Sequence, residues 1–187
     1  MDSRVLAIAV ILAPNLVGCV PNAAIYHRPS AEGGQVVSDC AGVPRRIELK
    51  VGNLPFSVYA TTTRREGVVS LSFGLKPLEV VEFSSFRFSS DNFRIRDLST
   101  NNLRDPSAIS VYRNDGSDSV VAPYLYPEDA RSALLGAPFL VSIHFPEELP
   151  RSFELLSPSL ILDGIGRDFP VIRFERKTWV GISPFNC

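Results

Sequence analysis

The sequence has little of what metal or nucleic-acid chemistry needs. Its 187 residues include three cysteines and two histidines but no Cys-x-x-Cys pair, so the usual ligand sets of a zinc site are missing. The 19 basic residues are offset by 20 acidic ones, which leaves no positive surplus for a nucleic acid. No apolar run approaches the roughly 20 residues of a membrane-spanning helix. We therefore expect no metal, no cofactor and no nucleic-acid partner.

The first 19 residues read as an export signal. Nine apolar residues, Val5 to Ala13, are too few to span a bilayer as a helix and are ended by Pro14 and Asn15. The residues Leu-Val-Gly-Cys follow at positions 16–19. A short apolar core followed by small residues is typical of a secretory signal peptide. The segment LVGC moreover resembles the lipobox of bacterial lipoproteins.

That resemblance implies a lipid-anchored protein of the bacterial cell envelope. Residues 1–18 would be the signal peptide, and Cys19 would become the acylated first residue of the mature chain. Several buried acyl chains hold a protein firmly on a membrane. In this class an aspartate after the lipidated cysteine favours retention in the inner membrane. Val20 occupies that position, which points to the outer membrane and a domain facing the periplasm.

Residues 19–39 are expected to form a lipidated tether, followed by a β-sandwich domain over residues 40–187. Two prolines and two glycines interrupt the tether, and no hydrophobic period is sustained there. On this interpretation His27 lies in the tether and is exposed to solvent.

The remaining sequence predicts strands. Ile47, Leu49 and Val51 alternate with charged residues, and the same period of two recurs at residues 69–73 and 139–145. Turn residues such as Asp163-Gly164 separate the strand candidates. This pattern predicts an all-β, antiparallel sandwich of roughly 8–10 strands. One short connecting helix is expected near residues 127–135, where proline begins and glycine ends the segment.

The cysteines divide between two roles. With Cys19 lipidated, Cys40 and Cys187 remain, and an exported protein meets an oxidising compartment. We expect these two to form a disulfide; two unpaired thiols are the alternative.

Few polar residues suggest a site. Ser142 and His144 share a strand face, but a nucleophile–base pair also needs an orienting group and an oxyanion site, and no Gly-x-Ser-x-Gly occurs. Arg87, Arg94 and Arg96 could form a surface cluster for an acidic partner or lipid headgroups. Their stems could equally cover apolar surface.

Two function classes remain open. The first is a non-catalytic envelope lipoprotein of unknown specific role, whose β domain serves protein–protein interaction or envelope assembly with another envelope protein. The alternative is an exported small-molecule-binding module or a hydrolase with a loop-built site.

Overall fold

The protein is described by a computed structural model over residues 19–52, 54–63, 65–73, 86–89, 92–113, 118–121 and 139–184. These residues form an all-β structure of fifteen strands and contain no helix. The fold class was therefore predicted correctly, although the strands are more numerous than expected because several are only two or three residues long. The helix expected near residues 127–135 lies outside the described residues.

The strands form three antiparallel sheets, consistent with a β-sandwich. The five-stranded sheet has the order β1-β15-β12-β7-β8. The seven-stranded sheet has the order β10-β9-β11-β5-β4-β3-β2, and the three-stranded sheet the order β14-β13-β6. The strand bounds are β1 Cys19–Ser30, β2 Gln35–Val37, β3 Arg46–Val51, β4 Leu54–Thr62, β5 Gly67–Phe73, β6 Phe86–Phe88, β7 Arg94–Asp97, β8 Leu103–Arg104, β9 Ala108–Arg113, β10 Asp118–Val121, β11 Phe139–Phe145, β12 Ser152–Leu156, β13 Leu160–Leu162, β14 Ile165–Arg167 and β15 Ile172–Pro184.

One hydrophobic core joins the sheets. The alternating residues of β3, β5 and β11 point inward as the period of two predicted, and Ile47, Leu71 and Ile143 are fully buried. The five-stranded sheet contributes Phe153 and Phe174, whose rings stack with centroids 4.8 Å apart. The core is thus built from side chains of both large sheets, to which the three-stranded sheet adds Phe88 and Leu160.

The segment expected to be a free tether is largely a strand. Residues 19–30 form β1, which pairs antiparallel with β15 from Cys19 opposite Pro184 to Ser30 opposite Arg173. Its prolines did not prevent pairing because β1 is the edge of its sheet, where a missing N–H can face away from the ladder. The described β structure therefore begins at Cys19, ahead of residue 40, where the sandwich domain was expected to begin.

The Asp163-Gly164 turn closes a hairpin between β13 and β14. Both residues have positive φ angles, 48° and 80°, which is the backbone geometry of a tight two-residue hairpin turn. All three residues of β14 are exposed. The hairpin therefore projects from the body of the protein, and residues 168–170 lead back from it toward the core.

Candidate functional site

Cys19 lies at the first rung of the pair formed by β1 and β15. Cleavage immediately before this residue would remove none of the described strands. Cys19 is also the first residue of β1, which is the outermost strand of its sheet among the described residues. A lipid attached there would be joined directly to the folded domain.

Cys40 is disulfide-bonded. It lies in a tight turn in which Asp39 Oδ1 accepts a hydrogen bond of 2.9 Å from the Val43 amide. Gly42, with φ of 83°, brings this turn close to β15: a Cβ on Gly42 would lie 3.7 Å from the Trp179 ring. The expected partner, Cys187, is outside the described residues, so the pairing itself stays a prediction.

His27 is buried, in contrast to the exposed position expected for it. Only 1% of its surface is exposed, and its ring meets Phe153 edge-on at 5.4 Å. Nε2 donates a 3.0 Å hydrogen bond to the Pro150 carbonyl, which leaves Nδ1 buried with no partner in the described part of the chain. Burial lowers the pKa of His27 below its ordinary value, and the nearby Arg176 acts in the same direction. His27 thus serves as a neutral core residue.

The candidate arginines lie in different places. Arg96 and Arg173 flank Glu154, a carboxylate only 6% exposed, at 3.4 Å and 2.9 Å. The three residues face one another on β7, β12 and β15. Arg94 instead pairs with Asp105 at 2.8 Å on the surface. Sequence reasoning left open whether these arginines converge, and it did not anticipate the buried acid between Arg96 and Arg173.

Arg87 belongs to a different sheet from the other two candidates. It lies on β6 opposite Ile161 of β13, whereas Arg94 and Arg96 lie on β7. The three predicted positions therefore do not share one sheet face. The Arg87 side chain is not among those that the structure describes.

Ser142 and His144 form no hydrogen bond with each other in the described residues. The Ser142 hydroxyl is instead 3.4 Å from the Ser70 hydroxyl, directly opposite on β5. Both serines are buried on the face away from the main core. This arrangement supports the structural interpretation of the pair over a nucleophile with its base.

A cleft of about 620 Å³ lies beside the end of the seven-stranded sheet. One wall is the turn at residues 31–34, in which the Gly34 amide donates to the Ala31 carbonyl at 3.2 Å. Gly33 has φ of 71° at the third position of this turn, the position that favours glycine in a type II turn. The opposite wall is formed by residues 168–170, and the β3–β4 hairpin lies between them.

Phe169 fixes the second wall to the core. Its ring meets Phe56 edge-on at 5.2 Å and stacks on Phe88 at 6.1 Å. Offset and edge-on aromatic contacts of this kind stabilise packing beyond simple burial. Pro170 follows directly and also lines the cleft. The wall is therefore held in place without a ligand.

Acidic groups predominate among the charged residues that line the cleft. They are Glu32, Glu48 and Asp168, against Lys50. Asp168 accepts a 2.7 Å hydrogen bond from the Ser159 hydroxyl, which orients its carboxylate. Glu48 is paired with Arg46 at 3.4 Å, so Glu32 and Asp168 are the acidic groups on which the negative character of the cleft depends.

Sequence reasoning did not find this cleft. Its walls come from three separate segments, and their proximity depends on strand order, which periodicity does not reveal. One signal was present: Phe169-Pro170 follows a turn signal and precedes a strand candidate, and ligand sites are lined mainly by apolar and aromatic side chains.

Comparison with known proteins identifies no relative: no family model, no curated protein and no solved structure matches the chain. Within the described ranges, no helix is long and apolar enough to cross a membrane. The same ranges contain no cluster of three or more side chains that could hold a metal ion.

Proposed function

We propose that the protein is a lipid-anchored component of the bacterial cell envelope whose β domain binds a partner rather than catalysing a reaction. The observation that carries this proposal is the position of the LVGC segment. It ends at Cys19, the residue at which the first described strand begins. Removal of residues 1–18 would leave the described domain intact with its first residue ready for acylation.

The disulfide at Cys40 supports an exported location. Disulfides persist in oxidising compartments such as the periplasm and are rare in the cytosol. The chain has three cysteines, so one bridge leaves a single thiol for another purpose. If the bridge joins Cys40 to Cys187, that remaining thiol is Cys19.

The surroundings of the two histidines and the shape of the cleft support a binding role. The Ser142 hydroxyl faces Ser70, and no hydrogen bond joins it to His144 in the described residues. His27 is a buried neutral residue bonded to the Pro150 carbonyl. Neither histidine therefore forms a nucleophile–base pair within the described part of the chain. The cleft, by contrast, has walls held by packing, and carboxylates outnumber basic side chains in its lining. Binding is the activity that such a concave, preformed surface supports best.

Metabolic labelling tests the anchor. Cells expressing the full chain are grown with radiolabelled palmitate, and the protein is recovered from separated inner and outer membranes. We expect label on the wild type and none on Cys19→Ser, which should remain unprocessed or become soluble. Absence of label from the wild type would overturn the proposal.

A second variant tests the membrane. Val20→Asp should remain labelled but move from the outer to the inner membrane, since an acidic residue after the lipidated cysteine favours retention. Val20→Asn, which has a similar size and no charge, is the matched control and should fractionate with the wild type. Recovery of the labelled wild type from the inner membrane would contradict an outer-membrane location.

A further inference from the structure

We infer that the cleft binds a basic side chain, arginine or lysine, presented by an extended segment of a partner polypeptide. This assignment goes beyond the proposed envelope role because it gives one site a ligand class. It would hold whether or not Cys19 is acylated, so the two proposals can fail separately.

Charge is the first argument. Three of the four charged side chains that line the cleft are carboxylates. Glu48 on β3 is paired with Arg46 at 3.4 Å, so the charge argument rests on Glu32 in the turn and Asp168 in the loop. Acidic groups that surround a cavity favour a cation within it more strongly than the same groups on an open surface, because the walls exclude water. An incoming guanidinium or ammonium group therefore meets complementary charge from the turn and from the loop.

Aromatic and apolar lining is the second argument. Phe56 and Phe169 both line the cleft, with their rings at an interplanar angle of 84°. A cation is attracted to the face of an aromatic ring, and the stem of a basic side chain packs against apolar surface. Leu49, Pro55 and Pro170 extend this apolar lining beyond the rings.

The third argument is an unsatisfied polar atom. Ser57 belongs to the lining of the cleft and is 2% exposed, and its hydroxyl has no hydrogen-bond partner in the described part of the protein. Buried polar groups are nearly always paired in folded proteins. The oxygen itself is shielded from the cleft, so an N–H group of a bound guanidinium or ammonium would donate to it, and remove the deficit, once the Ser57 side chain turned toward the ligand.

The size of the cleft indicates a polypeptide rather than an isolated cation. A volume of about 620 Å³ is in the range of sites for drug-sized ligands and exceeds what one basic group fills. The apolar residues that also line the cleft suit apolar neighbours of the basic residue. We therefore assign the cleft to a basic residue flanked by apolar ones.

Calorimetric titration of the full chain, purified in detergent, tests the assignment. The probe is the acetylated, amidated tripeptide Leu-Arg-Leu, and its control is the citrulline counterpart, which keeps the shape and loses the charge. We expect the arginine peptide to bind at least about fivefold more tightly, with a preference that declines as salt is raised. Equal binding of the two peptides, or no binding of either, would overturn the inference.

Titration with spermidine tests whether the cleft prefers a basic polypeptide or a small polyamine. It carries ammonium groups without flanking apolar side chains, so we expect it to bind more weakly than the arginine peptide. Tighter binding of spermidine would overturn the assignment to a polypeptide.

Three variants locate the binding. Glu32→Gln and Asp168→Asn should each raise the dissociation constant of the arginine peptide about two- to fivefold. Neither should change the dissociation constant of the citrulline peptide. Ser57→Ala should also raise the dissociation constant of the arginine peptide. The unfolding temperature of the free protein should stay the same or rise, because the substitution removes a buried unpaired hydroxyl. Glu66→Gln, in the β4–β5 turn away from the cleft, is the matched control. Loss of binding in that control, or none in the three cleft variants, would contradict the placement.

Discussion

The Nε2 atom of His27 donates a hydrogen bond of 3.0 Å to the carbonyl oxygen of Pro150, 123 residues later in the chain. This bond joins β1 to the loop before β12. Two charged groups lie close to the ring: Arg176, which lowers the pKa of His27, and Glu148, which raises it and is paired with Arg176 at 2.7 Å. Burial outweighs the favourable contacts, so the folded protein prefers the neutral ring.

The first prediction concerns this histidine and pH. Because folding lowers the pKa of His27 below 6.5, the unfolded chain binds the proton more readily than the folded one as the pH falls through 6.5. The stability that the folded protein gains from keeping His27 neutral is therefore fully present above pH 6.5 and declines below it. His27→Gln keeps an N–H donor for Pro150 but cannot titrate, so the free energy of unfolding should vary less between pH 7 and 5 than in the wild type. Denaturant titrations at several pH values measure this, and an unchanged slope in the variant would contradict it.

The second prediction concerns Glu154. Glu154→Gln preserves shape but leaves Arg96 and Arg173 without their shared negative charge, and we expect a loss of about 1–2 kcal/mol in the free energy of unfolding. Asp105→Asn breaks the exposed pair with Arg94 and is the matched control, with an expected change within about 0.5 kcal/mol. Urea denaturation of both variants gives the comparison. Equal effects would show that burial of Glu154 does not strengthen its ion pairs.

The third prediction concerns the wall of the cleft. A Cβ on Gly34 would lie 2.5 Å from Ile47 Cδ1 and 2.8 Å from Leu49 Cδ2, and both side chains are in the core. Gly34→Ala should therefore lower the free energy of unfolding by about 1–3 kcal/mol. Gly166→Ala, where the new methyl group meets nothing within 4 Å, should change it by less than about 0.5 kcal/mol. Thermal unfolding distinguishes the two, and a neutral Gly34→Ala would mean that the turn can move away from β3.

The fourth prediction concerns the disulfide. Non-reducing peptide mapping of protein extracted from membranes should recover Cys40 linked to Cys187, with Cys19 blocked by lipid. Reduction should lower the free energy of unfolding by about 2–4 kcal/mol, since the bridge would close a very long loop, although such bridges often contribute less than loop length suggests. A Cys19–Cys40 peptide would contradict both this pairing and the lipid anchor.

The fold class and the inward faces of the main strands could be predicted because burial on one side of a sheet leaves a local pattern of period two. Ile47, Leu49 and Ile143 were placed correctly for that reason. Strand β1 could not be placed in the same way. Its partner lies some 150 residues away, its prolines are compatible only with an edge position, and a buried histidine has no local signature. The same limit hid the cleft and the acid between Arg96 and Arg173, because both depend on which strands become neighbours.

The pairing of β1 with β15 also determines how the domain responds to a force applied at Cys19. The twelve residues of β1 run from the proposed anchor at Cys19 into the body of the domain at Ser30. A pull on the lipid along the strand axis would load all the rungs of this ladder in shear at the same time. A pull at right angles to the strand would open them one after another from Cys19. If Cys19 carries the lipid, the domain would therefore resist a force along the β1 axis better than a force across it.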